Sequence, residues 1–501
     1  MTIDTTLIPP VLPSLPTAAH GIFFLVNIKT KAIPRVLVMG TGYVGLTTAV
    51  GLASRGIPAV AFEIDPEKRD MINSGEVPFF EPSLSDLLKE SLQRGFHVSD
   101  RIETSDITII TVGTPSRSDG SIDLTYVKSA SEMLGRTLEN KNDYHVVVVK
   151  STVVPGTTEN VVRPAVESCS RRSVGSDLGL VMNPEFLREG SAVKDMFEPD
   201  RIVIGESDTR AGDAISRLYE VYYGSSAMPP VLRTSIVNAE FIKYASNAFL
   251  ATKISYINTI ANIAQKIPGA DVEVIAKGIG MDRRIGRSFL NAGLGFGGSC
   301  FPKDVNALIA LSRTLGYEPV LLQDVEGVNY LQFEHALEEA RVALGESFEG
   351  KTITLLGLAF KPETDDIREA VSLRIIESLL SSGASIRAYD PAANGNVARR
   401  FPTVRQKISY LESAKDALQG SDCCIIVTEW DEFRKLEPED FISSMRTPVL
   451  IDGRRIYDPV KFRGKMKFSA IGLGGKESIA IPQGQSTGEK KILLDYALVV
   501  E

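Results

Sequence analysis

Residues 295–305, GFGGSCFPKDV, place a cysteine where a reaction could use it. Cys300 follows a glycine-rich stretch and precedes Asp304 by four residues. Glycines such as Gly297 let the backbone approach a small molecule closely. A thiolate is a strong nucleophile when its pKa is lowered or when a neighbouring group activates it. Because most free cysteines are inert and buried, the loop alone leaves both interpretations open.

Two pairs of polar residues could work with such a nucleophile. Residues 235–267 have a long helical pattern in which Lys243 and Asn247, four apart, share one face. They could stabilise a negatively charged oxygen, or they could be a lysine and an asparagine on an ordinary helix surface. Glu185 and Glu189 are also four apart, and on a helix they would repel each other. Each is a candidate general base or cofactor contact, with a solvated acidic face as the alternative.

A glycine-rich turn near the start of the chain predicts a dinucleotide site. Gly40, Gly42 and Gly45 have the spacing G-x-G-x-x-G between an apolar strand and a helix. This spacing permits a tight turn and places a pyrophosphate at a helix N-terminus. Glu63 ends the next strand, 18 residues beyond Gly45, where an acidic side chain binds the ribose hydroxyls. Its charge disfavours a 2′-phosphate, so we predict NAD over NADP, against the alternative of a turn without a ligand.

The elements that must position these residues alternate along the chain. Apolar strands and helices alternate to about residue 235, a helical region follows, and a second α/β pattern begins at KTITLLGLAFK. The predicted fold class is α/β, with two Rossmann-like doubly wound lobes joined by a central helical domain that contains a long helix. The predicted divisions are a poorly ordered extension (1–33), an NAD-binding domain with a parallel sheet (34–236), a central helical domain (237–345), a second α/β domain (346–475) and a tail (476–501).

The second lobe lacks the dinucleotide spacing. Its first turn, GLAFKP, has one glycine, and Phe360 and Lys361 stand where glycines would be needed. We therefore expect it to bind something other than a second NAD. An aromatic side chain and a cation at a strand end suit a nucleotide base and a phosphate, although a purely structural lobe is the alternative.

Composition excludes several classes of function. The net charge is -8 and no block of five basic residues occurs, which argues against nucleic acid as a partner. Four cysteines and four histidines are scattered, so we predict no disulfide scaffold and no metal site. Low cysteine content suits the reducing cytoplasm. No apolar run is as long as a membrane span, and the N-terminus lacks the basic region of a secretory signal.

Eight segments, taken together and in order, resemble the UDP-glucose 6-dehydrogenases within the wider UDP-glucose/GDP-mannose dehydrogenase family. They are GTGYVGL, STVVPGT, NPEFLREGSAVKDMFEPDRIVIG, YASNAFLATKISYIN, GMDRRIG, GFGGSCFPKDV, GLAFKPETDDIREA and DGRR. The resemblance covers nearly all of residues 34–470. It implies that residues 237–345 form a helical dimerisation domain of a homodimer and that residues 346–475 form a UDP-sugar-binding domain. It also implies NAD-dependent oxidation of the C6 alcohol of UDP-glucose to a carboxylate, with two NAD⁺ and one water consumed.

The resemblance also implies roles for the residues above. Cys300 would hold the aldehyde as a thiohemiacetal and then as a thioester, which water cleaves. Lys243 and Asn247 would stabilise oxyanions, and Asp304 would assist proton transfer and water activation. Glu185, with Thr152, would handle the hydrolytic water.

The same resemblance implies binding residues for both ligands. The NAD contacts would be Gly40, Gly42, Tyr43, Val44, Gly45, Glu63, Thr114, Thr152 and Glu189. The substrate contacts would be Glu185, Phe186, Leu187, Lys243, Asn247, Arg284, Phe289, Gly297, Phe360, Lys361 and Arg454. Members commonly carry aspartate where this chain has Glu63, so Asp65 is expected to share the ribose contact.

Several alternatives stay open. GDP-mannose dehydrogenase shares NPEFLRE and a GGSC loop, and relatives acting on N-acetylated UDP-hexosamines typically have histidine where this chain has Ser299. Two-electron β-hydroxyacid dehydrogenases also pair a Rossmann lobe with a helical domain, but they need neither Cys300 nor a second nucleotide lobe. A catalytically inactive nucleotide-sugar-binding protein would lack one of the catalytic residues, all of which are present here.

Overall fold

In a computed structural model of the chain, the structure describes residues 33–404 and 406–475. The predicted tail, and the predicted N-terminal extension apart from residue 33, lie outside these ranges. None of the helices within them combines the length and the apolar character needed to cross a membrane.

The first lobe is an eight-stranded sheet with helices on both faces. Its strands are β1 (Val36–Met39), β2 (Ala59–Phe62), β3 (Val98–Ser99), β4 (Ile107–Ile110), β5 (His145–Val149), β6 (Leu178–Met182), β7 (Ile202–Glu206) and β8 (Val231–Thr234). Its helices are α1 (Tyr43–Ser54), α2 (Pro66–Asn73), α3 (Leu84–Gln93), α4 (Thr125–Leu138), α5 (Arg163–Ser170), α6 (Ala192–Phe197) and α7 (Thr209–Tyr223), with a π-helical turn (Thr158–Val162) leading into α5.

The strand order β3-β2-β1-β4-β5-β6-β7-β8 places a topological switch between β1 and β4. Strands such as β1 and β5 are buried along their whole length, as expected for strands covered on both faces. The predicted parallel arrangement is wrong at one point, because β6 and β7 are antiparallel. The connection between them, residues 183–201, stays at one end of the sheet and does not cross back over it, as a parallel pairing would require. Ligands bind at this carboxyl end in sheets of this type.

Four helices follow: α8 (Ile236–Gln265), α9 (Val272–Gly280), α10 (Phe301–Thr314) and α11 (Val320–Leu344). The predicted long helix is α8, with 30 residues, and Ser235 caps it by accepting a hydrogen bond from the Asn238 amide. Lys243 and Asn247 lie on its buried face, as their spacing predicts. Helix α10 begins immediately after Cys300, so the thiol stands at a helix N-terminus.

The second lobe is a six-stranded parallel sheet of order β11-β10-β9-β12-β13-β14. Its strands are β9 (Thr352–Leu356), β10 (Ser385–Tyr389), β11 (Ile408–Tyr410), β12 (Cys423–Ile426), β13 (Val449–Asp452) and β14 (Lys467–Ala470). Its helices are α12 (Val371–Ser381), α13 (Asn394–Arg400), α14 (Ala414–Leu418), α15 (Pro438–Ser444) and α16 (Pro459–Arg463). Two α/β lobes joined by helices confirm the predicted fold class.

Asp390, directly after β10, organises the loop that follows β9. One carboxylate oxygen accepts hydrogen bonds from the backbone amides of Leu358 (2.6 Å) and Ala359 (2.9 Å) and from the indole of Trp430 (3.1 Å). The other accepts from two backbone amides of the next turn, at 2.9 and 2.8 Å. This buried carboxylate therefore fixes the loop that presents Phe360 to the cleft.

Replacing this carboxylate should destabilise the second lobe. In Asp390→Ala, several buried N–H groups lose their acceptor, at about 1–3 kcal/mol each, so we expect the free energy of unfolding to fall by about 3 kcal/mol or more. Denaturant unfolding followed through the fluorescence of Trp430, the single tryptophan of the chain, measures this. The exposed neighbour Asp431→Ala is the matched control and should change little. Equal unfolding midpoints for the two variants would contradict the assignment.

Candidate active site

A cavity of about 1420 Å³ lies where the two lobes and the central helices meet. It brings together most of the predicted site residues. Those lining it are Gly40, Gly42, Tyr43, Val44, Glu63, Thr114, Thr152, Glu185, Phe186, Leu187, Glu189, Lys243, Asn247, Phe289, Gly297, Cys300, Asp304, Phe360 and Lys361.

Four predicted residues do not line this cavity. Gly45 lies behind the turn, and Asp65 caps α2 by accepting from the amides of the first turn. The side chain of Arg284 is 89% exposed and pairs with Asp282. Arg454 donates to the backbone oxygens of residues 427 and 295, at 2.7 and 3.1 Å. Arg454 thus stabilises the glycine-rich loop through the backbone oxygen of residue 295. The ligand contacts of all four residues stay predictions.

The glycine turn has the shape that a pyrophosphate requires. A Cβ atom on Gly45 would lie 1.9 Å from the carbonyl oxygen of Gly40, so the helix packs too closely for any other residue. Gly42 caps α1, and a Cβ there would meet no atom within 4 Å. The open side of the turn thus faces the cavity at a helix N-terminus, which fits the diphosphate of a dinucleotide.

Glu63 holds this turn as well as facing the cavity. One carboxylate oxygen accepts from the Thr41 amide (3.1 Å) and hydroxyl (2.6 Å), and the other from the amides of Ile64 (2.9 Å) and Asp65 (3.1 Å). Burial alone would raise the pKa of Glu63, but these hydrogen bonds outweigh it and the net pKa is lowered. The residue therefore presents a negative charge where a 2′-phosphate would have to lie.

The thiol of Cys300 faces the cavity and is protonated at rest. The protein packed around it raises its pKa, and the charges of Glu185 and Asp304 act in the same direction. Lys243 opposes this shift without reversing it. The pKa of the thiol is therefore not lowered, and of the two routes to a reactive thiolate only activation by a neighbouring group remains. The thiol must lose its proton to a neighbour during the reaction.

Lys243 and Glu185 form a buried ion pair beside this thiol. Their charged atoms are 3.0 Å apart and both side chains are more than nine-tenths buried. Burial lowers the pKa of Lys243, but the negative charges of Glu185 and Asp304 outweigh burial, so the net pKa lies above its ordinary value. The ammonium is therefore a fixed positive charge, suited to stabilise an oxyanion.

Asp304 is held by two donors. Asn247 donates to one oxygen at 2.6 Å, and Lys303 lies 2.6 Å from the other. Because an amide group has two N–H donors, Asn247 keeps one for a substrate oxygen. The sequence patterns assign no role to Lys303. Its position next to Asp304 in the chain is nevertheless a signal for the pairing of these two side chains.

The interpretation of Glu185 and Glu189 as one helix face is wrong, since the segment between β6 and α6 is irregular. Glu189 accepts from Ser299 (3.2 Å) and from Arg368 of the second lobe (3.3 Å). Its other oxygen is buried and has no hydrogen-bond partner in the described part of the chain. Burial, with the nearby charge of Asp366, raises the pKa of Glu189 to about 7. A polar group of a bound cofactor would satisfy that oxygen.

Glu81 was missed by the sequence reasoning and connects the cofactor turn to this segment. It accepts from the hydroxyl of Tyr43 and from the amides of Gly190 (2.6 Å) and Ala192 (2.7 Å). These partners lie up to 111 residues away in sequence, so no local pattern could have shown the contact.

Comparison with known proteins identifies the family. Three models of the UDP-glucose/GDP-mannose dehydrogenase family match consecutive parts of the chain: the NAD binding domain at 34–223, the central domain at 237–330 and the UDP binding domain at 354–459. The chain belongs to this family. The predicted family, enzyme class and NAD cofactor are thereby confirmed.

Individual relatives agree. The chain is 45% identical over 422 residues to UDP-glucose 6-dehydrogenase AglM of Haloferax volcanii, covering 84% of this chain and 96% of that protein. It is 41% identical over 451 residues to UDP-glucose 6-dehydrogenase of Pseudomonas aeruginosa, covering 88% and 97%. Among solved structures, a UDP-glucose dehydrogenase from Pyrobaculum islandicum aligns with a TM-score of 0.80 at 37% identity, covering 89% of this chain and 99% of that one.

The charges around the thiol predict opposite effects of two substitutions on its reactivity. Glu185→Gln removes a charge that raises the pKa of Cys300, whereas Lys243→Met removes one that lowers it. At pH 8, we expect iodoacetamide to modify Cys300 about 3- to 10-fold faster in the first variant and correspondingly slower in the second. Mass spectrometry of the Cys300 peptide gives the rates.

Exposed Glu220→Gln on α7 serves as the control for this experiment and should react like the unsubstituted protein. Rates that change in the same direction in both active-site variants would show that the two charges do not govern the thiol.

Proposed function

We propose that this enzyme oxidises UDP-glucose to UDP-glucuronate in two NAD⁺-dependent steps. The observation that carries the proposal is one cavity in which Cys300 lies beside the ion pair of Lys243 and Glu185, and which the glycine turn for the cofactor also lines. A two-electron oxidation needs no sulfur nucleophile, whereas a four-electron oxidation must hold the aldehyde. The names of relatives at 41–45% identity support UDP-glucose over other nucleotide sugars.

The second lobe and the central helices supply the nucleotide side of the cavity. Phe360 and Lys361 line it from the loop after β9, and Phe289 lines it from the central helical region. Phe289 has a φ of +64°, an unfavourable conformation for an aromatic residue. The base would pack against these rings and the diphosphate would pair with Lys361.

In the first oxidation, Asp304 takes the proton of the sugar O6 hydroxyl and passes it to solvent, while Lys243 and the remaining N–H of Asn247 stabilise the alkoxide. When bound, NAD⁺ would supply the hydride acceptor for C6 in each of the two oxidations. The glycine turn, Glu63 and Glu189 would orient the cofactor. The low dielectric of the cavity strengthens the electrostatic interactions of these groups with the reacting atoms.

The sulfur of Cys300 then adds to the aldehyde carbon, and the thiol proton leaves by way of Asp304 to the carbonyl oxygen. Loss of the second hydride, and of the hydroxyl proton to Asp304, gives a thioester. Water attacks the carbonyl carbon with Glu185 as the base, the C–S bond breaks, and the carboxylate leaves. Thr152 accepts a hydrogen bond from Thr114 at its backbone oxygen (2.9 Å), which fixes this wall of the cavity.

We also propose a homodimer formed through the central helices. Helix α8 carries a stripe of exposed apolar side chains at Phe249, Tyr256 and Ile263, opposite its buried face. Spacings of seven residues keep these side chains on one side of the helix. An exposed apolar stripe of this length suits a second copy of the same helix.

The stoichiometry tests the reaction. With limiting UDP-glucose we expect two NADH per substrate, and with GDP-mannose a kcat/KM at least ~100-fold lower. Cys300→Ser should bind both ligands but stop after one NADH per active site or less, because serine forms no thioester. One NADH per UDP-glucose in the unsubstituted enzyme, or full turnover by Cys300→Ser, would defeat the proposal.

The dimer is tested by light scattering. Tyr256→Glu combined with Ile263→Glu should halve the measured mass, because charges cannot be buried unpaired in an apolar interface. Val460→Glu, on an exposed position of the second lobe, is the control and should leave the mass unchanged. A monomeric mass for the unsubstituted protein would contradict the dimer.

A further inference from the structure

Lys150 is a buried lysine in the wall of the active-site cavity, and the mechanism above gives it no role. It follows β5 directly and is only 6% exposed. Its Nζ donates to Oδ1 of Asn183 at 3.1 Å and lies 3.4 Å from the hydroxyl of Tyr219. The side chains of all three residues line the cavity that contains Cys300.

The surroundings of Lys150 differ from those of Lys243. Within the described ranges, no carboxylate lies within the 4.0 Å of an ion pair from its Nζ. The charged groups that act on it are Glu185, from the segment after β6, and Lys243, from α8, while α7 contributes the neutral Tyr219. Burial lowers the pKa of Lys150 to about 8, with Glu185 opposing the shift and Lys243 adding to it. Such an amine exchanges its proton near neutral pH.

The hydrogen bonds of Lys150 suit the neutral amine. The hydroxyl of Tyr219 donates to Asn183 at 2.5 Å, so its own oxygen is free to accept from Lys150. A neutral amine has two N–H donors, which match the two acceptors on Asn183 and Tyr219. Its lone pair then remains available for an incoming proton.

The two carboxylates next to Cys300, Glu185 and Asp304, are more constrained. The oxygens of Glu185 engage Lys243 and the amide of Leu187. Those of Asp304 engage Asn247 and Lys303. A proton that stays on either carboxylate would weaken an existing ion pair, so each can pass a proton on more easily than keep it.

Resting on the proposed function, we propose that Lys150 is the proton acceptor behind Glu185 in hydrolysis of the Cys300 thioester. One proton of the attacking water passes to Glu185 and, through one bridging water, to the Lys150 amine. Collapse of the adduct breaks the C–S bond, and the second water proton goes to the departing sulfur. The products are the carboxylate, the Cys300 thiol and the Lys150 ammonium, which returns its proton to solvent.

Thioester decay in three variants tests this role. Lys150→Arg keeps the charge and the donors but holds its proton at all accessible pH values. Lys150→Met lacks both the charge and the donors, and Lys128→Arg on the surface of α4 is the matched control. Enzyme is mixed with UDP-glucose and excess NAD⁺, quenched in acid and weighed by mass spectrometry, so that adduct on Cys300 and NADH are counted separately.

We expect normal formation of two NADH in Lys150→Arg, followed by adduct decay about 100-fold slower than in the unsubstituted enzyme. In the unsubstituted enzyme and in Lys128→Arg, decay should accelerate as pH rises through about 8, because only the neutral amine accepts a proton. In Lys150→Arg this rise should vanish.

Decay in Lys150→Arg within twofold of the unsubstituted rate, with the same pH profile, would overturn the role. So would equal slowing of hydride transfer and decay in both Lys150 variants, since that pattern indicates a structural lysine. Failure of the proposed function is separate, because the unsubstituted enzyme would then release one NADH or form no adduct on Cys300.

Discussion

The buried ion pair of Lys243 and Glu185 is the interaction on which the site depends. Removing one partner of such a pair typically costs about 3–5 kcal/mol, because the other charge stays buried without compensation. The pair also connects two distant parts of the chain, the long helix α8 and the irregular segment between β6 and β7. Its 3.0 Å contact therefore fixes both the charge next to Cys300 and the position of the segment that carries Glu189.

The rest of the architecture holds that segment from the other sides. Glu81 binds its backbone next to Tyr43 of the cofactor turn, and Arg368 reaches Glu189 from the second lobe. Helix α10 starts at Cys300, so the thiol is placed by the central helices while its neighbours come from the first lobe. A sulfur at the meeting point of three structural units can contact a sugar held by one lobe while a cofactor occupies the other.

Much of the fold follows from local signals, and the active site follows from them only in part. Apolar runs predicted the buried strands, and the spacing of Lys243 and Asn247 placed both on the buried face of α8. The prediction that β7 runs parallel to β6 was wrong, because the direction of a strand depends on its connection and not on its composition. Glu81 lies 109 residues from Gly190, and Arg368 lies 179 residues from Glu189, so periodicity holds no information about these two contacts. For Arg284 and Arg454, the family motifs suggested contacts with the ligand. Within a single chain, however, neither residue lines the cavity.

The protonated state of Cys300 has a consequence for the order of events. Lys243 is engaged with Glu185, so its charge cannot fully stabilise a thiolate. Under the proposed function, an aldehyde oxygen that binds near the ammonium competes with Glu185 for it and frees that carboxylate to accept protons. The thiol then becomes a nucleophile only beside its substrate, since the thiolate is the reactive form and its formation depends on the acceptor that the substrate frees.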